Sequence, residues 1–263
     1  MTNEKKQKAM KTVLVGSGNV ATHLAFALKE AGITIVQVWS KHMQNAQTLA
    51  NEIKAEAIAN LSEIDKQADF CILSIKDDAI PTVAKELAEF KGIILHTSGA
   101  VSLAVFEKHF RKYGVLYPLQ TFSIKKDVDF NKIPICIEAN TNETLESIRQ
   151  LAEKLSGNVV AVDSEKRKIL HLAAVFACNF TNHLYALSSD LLADYELDFD
   201  MIRPLILETA EKVQHALPNE VQTGPAIRND EQTLKKHKEL LLKQPQLLTI
   251  YETLSESIKK TKK

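Results

Sequence analysis

The chain has 263 residues, 45% of them hydrophobic, and its 33 basic and 33 acidic side chains give a formal charge of zero. That length supports a sizeable core, expected in two domains, while neutrality argues against a long-range field for nucleic acid or acidic membranes. The first ten residues are too polar for a signal peptide and no apolar run reaches membrane-spanning length, so neither nucleic acid nor membrane is an expected partner.

Lys5, Lys6, Lys8 and Lys11 open the chain as a short basic tail, expected to be frayed and solvated. Residues 12–24, TVLVGSGNVATHL, follow as an apolar run that passes through Gly16-Ser17-Gly18-Asn19-Val20-Ala21 into helix-forming sequence. A buried strand turning into a helix through Gly-x-Gly sets backbone N–H groups and a helix N-terminus against a phosphate. Gly16 permits the tight turn, Gly18 lets a pyrophosphate approach the backbone, and Ala21 keeps the helix close to the sheet. Gly16, Ser17, Gly18, Asn19 and Val20 are therefore the expected phosphate cradle, against the plainer reading of a structural strand–helix turn.

A second apolar run, Ile33–Trp39, follows Gly32, which reads as a helix stop. An NAD-specific site carries Asp or Glu at the end of this strand, to accept from the ribose 2′-hydroxyl. Here the residues are Ser40, Lys41 and His42, and the next carboxylate is Glu52. A hydroxyl and a cation suit a 2′-phosphate, which an acid would repel. NADP(H) is the expected cofactor, with Ser40 and Lys41 as its contacts.

Further elements alternate: a helix over about 43–54, a strand within 69–75, and a helix near Ala79 with Pro81 in its first turn. A strand over 92–97 and a helix over about 101–111 come next. Strands at 114–117 and 133–138, a helix over about 142–155 and a short strand at 158–162 complete the series. Continuous apolar strands separated by helices indicate a doubly wound α/β domain with a parallel sheet, spanning 1–162. From 163 to 263 the pattern is helical, with a long Ala-rich helix over about 164–194 and a second from near Asp200 with Pro204 in its first turn. A third starts at Asn229, with Gln232 completing a capping box, and the last starts around Pro245. Residues 217–228 form a loop long enough to be functional. Lys259, Lys260, Lys262 and Lys263 make a basic tail like the first. Cys71, Cys136 and Cys178 each sit in an apolar run and read as buried free thiols of a cytoplasmic protein. No His or Cys pair has metal-ligand spacing, so no metal is expected.

Ligands of open α/β sheets bind outside the carboxyl ends of the strands. Ser74, Ile75, Lys76 and Thr97 are accordingly expected against the cofactor, and His96 and Ser98 beside the substrate. Asp77 and Asp78 are accounted for as acids at a helix N-terminus. On the Ala-rich helix, His171, Asn179, Asn182 and His183 interrupt an apolar surface, with His171 and Asn182 nearly in phase on a 3.6-residue period. His171 is the expected proton donor and Asn179 an orienter, structural hydrogen bonding being the alternative for both. Arg228, near Thr223-Gly224-Pro225, suits a substrate carboxylate, although pairing with Asp230 or Glu231 would serve only to fix the loop.

With these residues in view, the chain resembles the NADP oxidoreductases that join a Rossmann-like domain to a helical C-terminal domain of unknown function. The matching segments are residues 13–21, 39–41, 73–80 and 96–99, then 117–123, 171–179, and 223–225 with Arg228. The resemblance implies a two-domain architecture like that of 6-phosphogluconate dehydrogenase, related to pyrroline-5-carboxylate reductase and the deazaflavin-dependent NADP reductases. It also implies a helical domain that builds a homodimer and completes the active site. Better-known relatives place a Lys and, four residues later, an Asn on the first helix after the nucleotide domain; here Lys168 is followed by Leu172. The expected activity is hydride transfer between NADP(H) and the C=O or C=N group of a small polar metabolite. A non-catalytic NADP(H)-binding sensor and a structural dimerisation module are the rival readings.

Overall fold

The computed structural model describes residues 10–123 and 125–261; the lysines at 5, 6, 8, 262 and 263 lie outside them. It divides into two compact units, Met1–Cys178 and Asn179–Lys263.

The first unit is built on one eight-stranded sheet. Its strands are β1 (Lys11–Val15), β2 (Thr34–Trp39), β3 (Glu56–Ile58), β4 (Phe70–Leu73), β5 (Ile93–His96), β6 (Tyr113–Pro118), β7 (Ile135–Ala139) and β8 (Val159–Ala161). They lie in the order β3-β2-β1-β4-β5-β6-β7-β8. The helices are α1 (Asn19–Glu30), α2 (Met43–Ile53), α3 (Ile80–Glu86), α4 (Asn142–Glu153) and α5 (Ser164–Ala174). Alternate residues of each strand feed opposite cores. Leu14, Ile72 and Leu95 pack with α1, α2 and α4, while Val13, Val15, Leu73 and Ile94 pack with α3 and Phe106. This two-sided burial is why the strands read as unbroken apolar runs.

Three details of the sheet and its connections depart from the sequence reading. The sheet is parallel except for β6 and β7, which pair antiparallel from Gly114–Ala139 to Pro118–Ile135. The described residues of the connection between them, within 119–134, contain no α-helix to carry a crossover. The helix expected at 101–111 is only a 3₁₀ turn, Leu103–Phe106. Its backbone is engaged elsewhere, because Leu103 N–H donates to Ser164 Oγ and the Val101 carbonyl accepts from Arg167. Finally, β3 was not anticipated; three residues on the sheet edge carry too little pattern to be read.

The long helix expected over 164–194 is interrupted. A π-helical segment, Val175–Phe180, separates α5 from α6 (Thr181–Ala193). A π segment inserts residues into the α period, so the phase that placed His171 and Asn182 on one face does not run through it. Cys178 in this segment is exposed, unlike Cys71 and Cys136, and all three thiols are free.

The second unit holds α6, α7 (Arg203–His215), α8 (Glu231–Leu240) and α9 (Pro245–Thr261). The third expected helix starts one residue late. Asn229 has φ +56° and cannot serve as an extended cap, so Asp230 caps instead, accepting from Thr233 N–H at 3.1 Å and Thr233 Oγ1 at 2.8 Å. Lys259 is not a frayed residue of a solvated tail, since its ammonium bridges Glu231 and Glu256. No helix among the described residues is long and apolar enough to cross a membrane.

Candidate functional site

The carboxyl ends of β1, β2, β4 and β5 are stitched into one rim. Gly16 N–H donates to the Trp39 carbonyl at 2.7 Å, Ser74 N–H to Val15 at 2.8 Å, and Thr97 N–H to Leu73 at 3.1 Å. Gly16 has φ +128°, and a Cβ there would lie 2.1 Å from the Ser74 carbonyl oxygen. The glycine is therefore required twice, by its own dihedral and by the neighbouring strand end. Gly18 is different: a Cβ on it would meet nothing within 4 Å, leaving open space above the turn. Gly18 is also the N-cap of α1, with no side-chain cap and no acid in the first turn. An uncapped helix N-terminus facing open space has the donor set an anion requires. The turn fits a dinucleotide pyrophosphate on these grounds.

Ser17 and Ser40 share a hydrogen bond between hydroxyls of 2.8 Å, which joins the turn to the end of β2, and Lys41 is exposed beside them. Asn19 donates its side-chain N–H to the Phe122 carbonyl at 3.0 Å, and His23 Nε2 donates to the Ser123 carbonyl at 3.0 Å. The segment after β6 is thereby held against the first turns of α1. Val20, Ile75 and Thr97 are half-buried on the rim, Lys76 is exposed, and Ser74 is buried with its Oγ 3.3 Å from that of Thr97.

His96 is fully buried. Its Nδ1 accepts from Ser98 N–H at 3.2 Å and its ring packs on Phe106 at 5.5 Å. Burial, with the nearby Arg167 charge, pushes its pKa down to about 3, so the ring is neutral. It supports the rim from beneath. Ser98, also buried, accepts from Ala100 and Val101 N–H and turns the chain there.

His171 stands on α5 with its Nδ1 3.0 Å from the Tyr117 hydroxyl at the end of β6. A Cβ on Gly99 would come within 2.7 Å of the imidazole Cγ and Nδ1, so the ring rests directly on glycine backbone. One turn earlier on the same helix face, Arg167 is fully buried. Its guanidinium is paired with Glu138 on β7 and also donates to the Val101 carbonyl and to Ser164 Oγ at 3.2 Å. Glu138 accepts in turn from Ser164 N–H at 2.9 Å and Oγ at 2.8 Å. Arg167 and Glu138 were not chosen from the sequence, and Tyr117 was read there only as the end of a strand. An acid closing an apolar strand was the one visible signal, and nothing in the order of residues pairs it with an arginine 29 positions on.

Asn179, Asn182 and His183 are exposed at the start of the second unit. Arg228 is exposed there too, on its own loop. The two acids beside it are engaged, Asp230 in capping α8 and Glu231 with Lys259. Among the described residues no group of three or more His, Cys, Asp or Glu side chains is placed to hold a metal. A recess of about 440 Å³, lined in part by Lys66, Asp69 and Lys91, lies at the opposite edge of the sheet, where the strands begin.

A sheet wound in the order 3-2-1-4-5-6, with a glycine turn and a bare helix end at its first strand, defines a dinucleotide-binding protein of the Rossmann class. Comparison with known proteins adds the family. Residues 11–96 match the model for NADP oxidoreductase, coenzyme F420-dependent, and residues 133–258 match a domain of unknown function, DUF2520. The chain is 45% identical to a solved structure from Bacteroides fragilis described as a "putative NADP oxidoreductase", covering 96% of this chain and 98% of that one with a TM-score of 0.91. A protein of Thermotoga maritima is 24% identical, covering 95% and 98%, with a TM-score of 0.72. A pyrroline-5-carboxylate reductase of Streptococcus pyogenes shares the fold at 14% identity, covering 96% and 99%, with a TM-score of 0.63. Among curated proteins, a stretch of 77 residues is 35% identical to lipopolysaccharide heptosyltransferase 1 of Campylobacter coli, covering 28% of this chain and about a fifth (22%) of that protein. The chain belongs to the NADP oxidoreductase family that joins a Rossmann-type domain to this helical domain of unknown function.

Proposed function

We propose that the protein transfers hydride between NADP(H) and the C=O or C=N group of a small polar metabolite. The observation that carries this reading is the single rim that holds both an open glycine cradle at β1 and a seated imidazole, His171, beyond β5 and β6. Gly16 to Val20 hold the pyrophosphate, Ser40 and Lys41 the 2′-phosphate, and Ser74, Ile75, Lys76 and Thr97 the flank of the cofactor. The nicotinamide supplies or accepts the hydride when bound. What remains for the protein is to orient the substrate and to deliver a proton at its heteroatom. His171 delivers that proton. Ser98 turns the chain beside it and the buried His96 supports that turn from beneath, while Asn179 is proposed as orienter and Arg228 as carboxylate clamp. The sensor reading keeps one observation in its favour: Lys168 pairs with Glu165 and is followed at the next turn by exposed Leu172, so the familiar Lys–Asn pair is missing. Cofactor binding with no substrate turned over would support it.

The first test is a fluorescence titration with NADPH and NADH. NADPH is expected to bind more tightly, and Lys41→Glu to weaken it about tenfold or more, the range for a charge-assisted hydrogen bond, with NADH changed only a few-fold. A wild-type preference for NADH would overturn the assignment of Ser40 and Lys41.

The active form is a homodimer through the helical domain. Among the described residues of the second unit, Ala226, Leu234 and Leu241 are the buried apolar ones, whereas Met201, Leu205, Leu217 and Leu242 are all more than 60% exposed. A fully buried aliphatic side chain contributes about 1.5–3 kcal/mol, so four helices cannot be held by so small a core. A second copy covering these faces supplies the missing burial. Light scattering is expected to give twice the 29.4 kDa chain mass; a single chain mass would remove the dimer. The free thiols are consistent with the reducing cytosol expected for such an enzyme.

A further inference from the structure

The His171 ring has two nitrogens, and its surroundings treat them differently. Its Cγ–Nδ1 edge rests on the Gly99 backbone, and Nδ1 lies 3.0 Å from the Tyr117 hydroxyl. The two rings meet edge-on, at 76° with centroids 6.0 Å apart. Tyr117 is buried, and the imidazole Nδ1 is the hydrogen-bond partner the structure gives its hydroxyl. A buried phenol O–H that lacks an acceptor is costly, about 1–3 kcal/mol. With the hydroxyl as donor the acceptor is Nδ1, and a nitrogen that accepts carries no proton of its own. Burial, the largest influence, raises the phenol pKa to about 12, so the O–H is present throughout the physiological range.

We propose that Tyr117 is a positioning residue that fixes neutral His171 as the Nε2–H tautomer, so that the ring presents a hydrogen-bond donor to its substrate. This rests on the reading of His171 given above and narrows it. A donor suits a heteroatom with a free lone pair, a carbonyl oxygen above all. It has nothing to offer a protonated imine, whose nitrogen is itself a donor.

The proton account closes without charging the ring. As the carbonyl carbon accepts the hydride, the Nε2–H bond breaks and an O–H bond forms on the substrate. The Tyr117 O–H bond breaks as an N–H bond forms at Nδ1; once the alcohol leaves, Nε2 takes a proton from solvent while Nδ1 returns its own to the phenolate, which restores the Nε2–H tautomer and the phenol. A phenol is a stronger acid than an alcohol, so the relay runs downhill. Gly99 lets the ring sit close enough for this, since any Cβ would push it off the Tyr117 hydroxyl.

The test is the tautomer itself, read by long-range ¹H–¹⁵N correlation of histidine-labelled protein, with the His171 signal assigned by its loss in His171→Gln. Wild type is expected to show protonated Nε2 and a bare Nδ1. Tyr117→Phe is expected to collapse that signature toward a mixture of tautomers while NADPH affinity stays within a few-fold. A protonated Nδ1 in the neutral wild-type ring would overturn the proposal, as would ring nitrogen shifts unchanged by Tyr117→Phe. The wild-type spectrum decides the matter even if the variant does not fold. Turnover separates this from the function it rests on. Full activity in a variant lacking the imidazole would sink the proton-donor role and leave the tautomer standing. Efficient reduction of an iminium probe such as 1-pyrrolinium, at a kcat/KM equal to or above that of cyclopentanone, would overturn the carbonyl preference.

Discussion

His171→Ala is expected to lower turnover by about 10²–10⁴-fold, the usual worth of a positioned general acid, while NADPH affinity changes no more than a few-fold. The split follows from placement. His171 reaches the rim from α5 and touches Tyr117 and Gly99, whereas the proposed cofactor contacts lie at the ends of β1, β2 and β4 and at Thr97. The substitution leaves the Arg167 anchor one turn earlier intact, so the helix should stay in place. Paired fluorescence titration and NADPH consumption over a panel of carbonyl and imine compounds would measure both quantities. Turnover at the wild-type level would remove His171 from the mechanism and shift weight to the sensor reading.

Arg167→Met is expected to be the most damaging single change outside the cofactor cradle, costing about 3–5 kcal/mol of folding stability. Its guanidinium is fully buried, and removing it leaves the Glu138 carboxylate, only 16% exposed, without its counter-charge. Breaking one side of a buried pair costs more than the pair contributes, because the surviving charge has lost its water and has gained nothing. The pair also ties three pieces of chain: β7 through Glu138, the turn after β5 through the Val101 carbonyl, and the start of α5 through Ser164. Chemical denaturation would read the loss as a lower midpoint. Adding Glu138→Gln to Arg167→Met should recover part of it, since the uncompensated charge is then gone. A double variant no better than the single would mean that the hydrogen bonds, rather than the charge, carry the cost.

The glycine turn was legible in residue order because it is local. Gly16, Gly18 and Ala21 stand within six positions, and the dihedral, the open space and the helix approach they serve are decided by neighbours in the chain. The strands were legible for a related reason: both faces of the sheet are covered, so each strand is a continuous apolar run. The short edge strand β3 and the direction of β7 were not, because pairing direction is fixed by where the connection can travel and not by the strand's own residues. The turn at 101–111 failed as a helix for a cause outside it, the capture of its backbone by Arg167 and Ser164.

The surroundings of His171 show the division more sharply. The sequence by itself determined that a strand runs through a glycine turn into a helix with no carboxylate after β2, that the cysteines had no neighbours in sequence to pair with, and that His171 was a polar group on an apolar helix. Those are statements about residues a few positions apart, where backbone geometry leaves little choice. Only the tertiary structure decided that His96 lies under the rim, that Gly99 forms the seat of an imidazole, and that Tyr117, 54 residues before His171, meets its Nδ1. It likewise decided that Glu138 and Arg167 form one buried pair. Hydrogen bonds and ion pairs act over about 3–4 Å of space whatever the length of chain between the partners, and local pattern carries no record of which distant strand end a helix will meet.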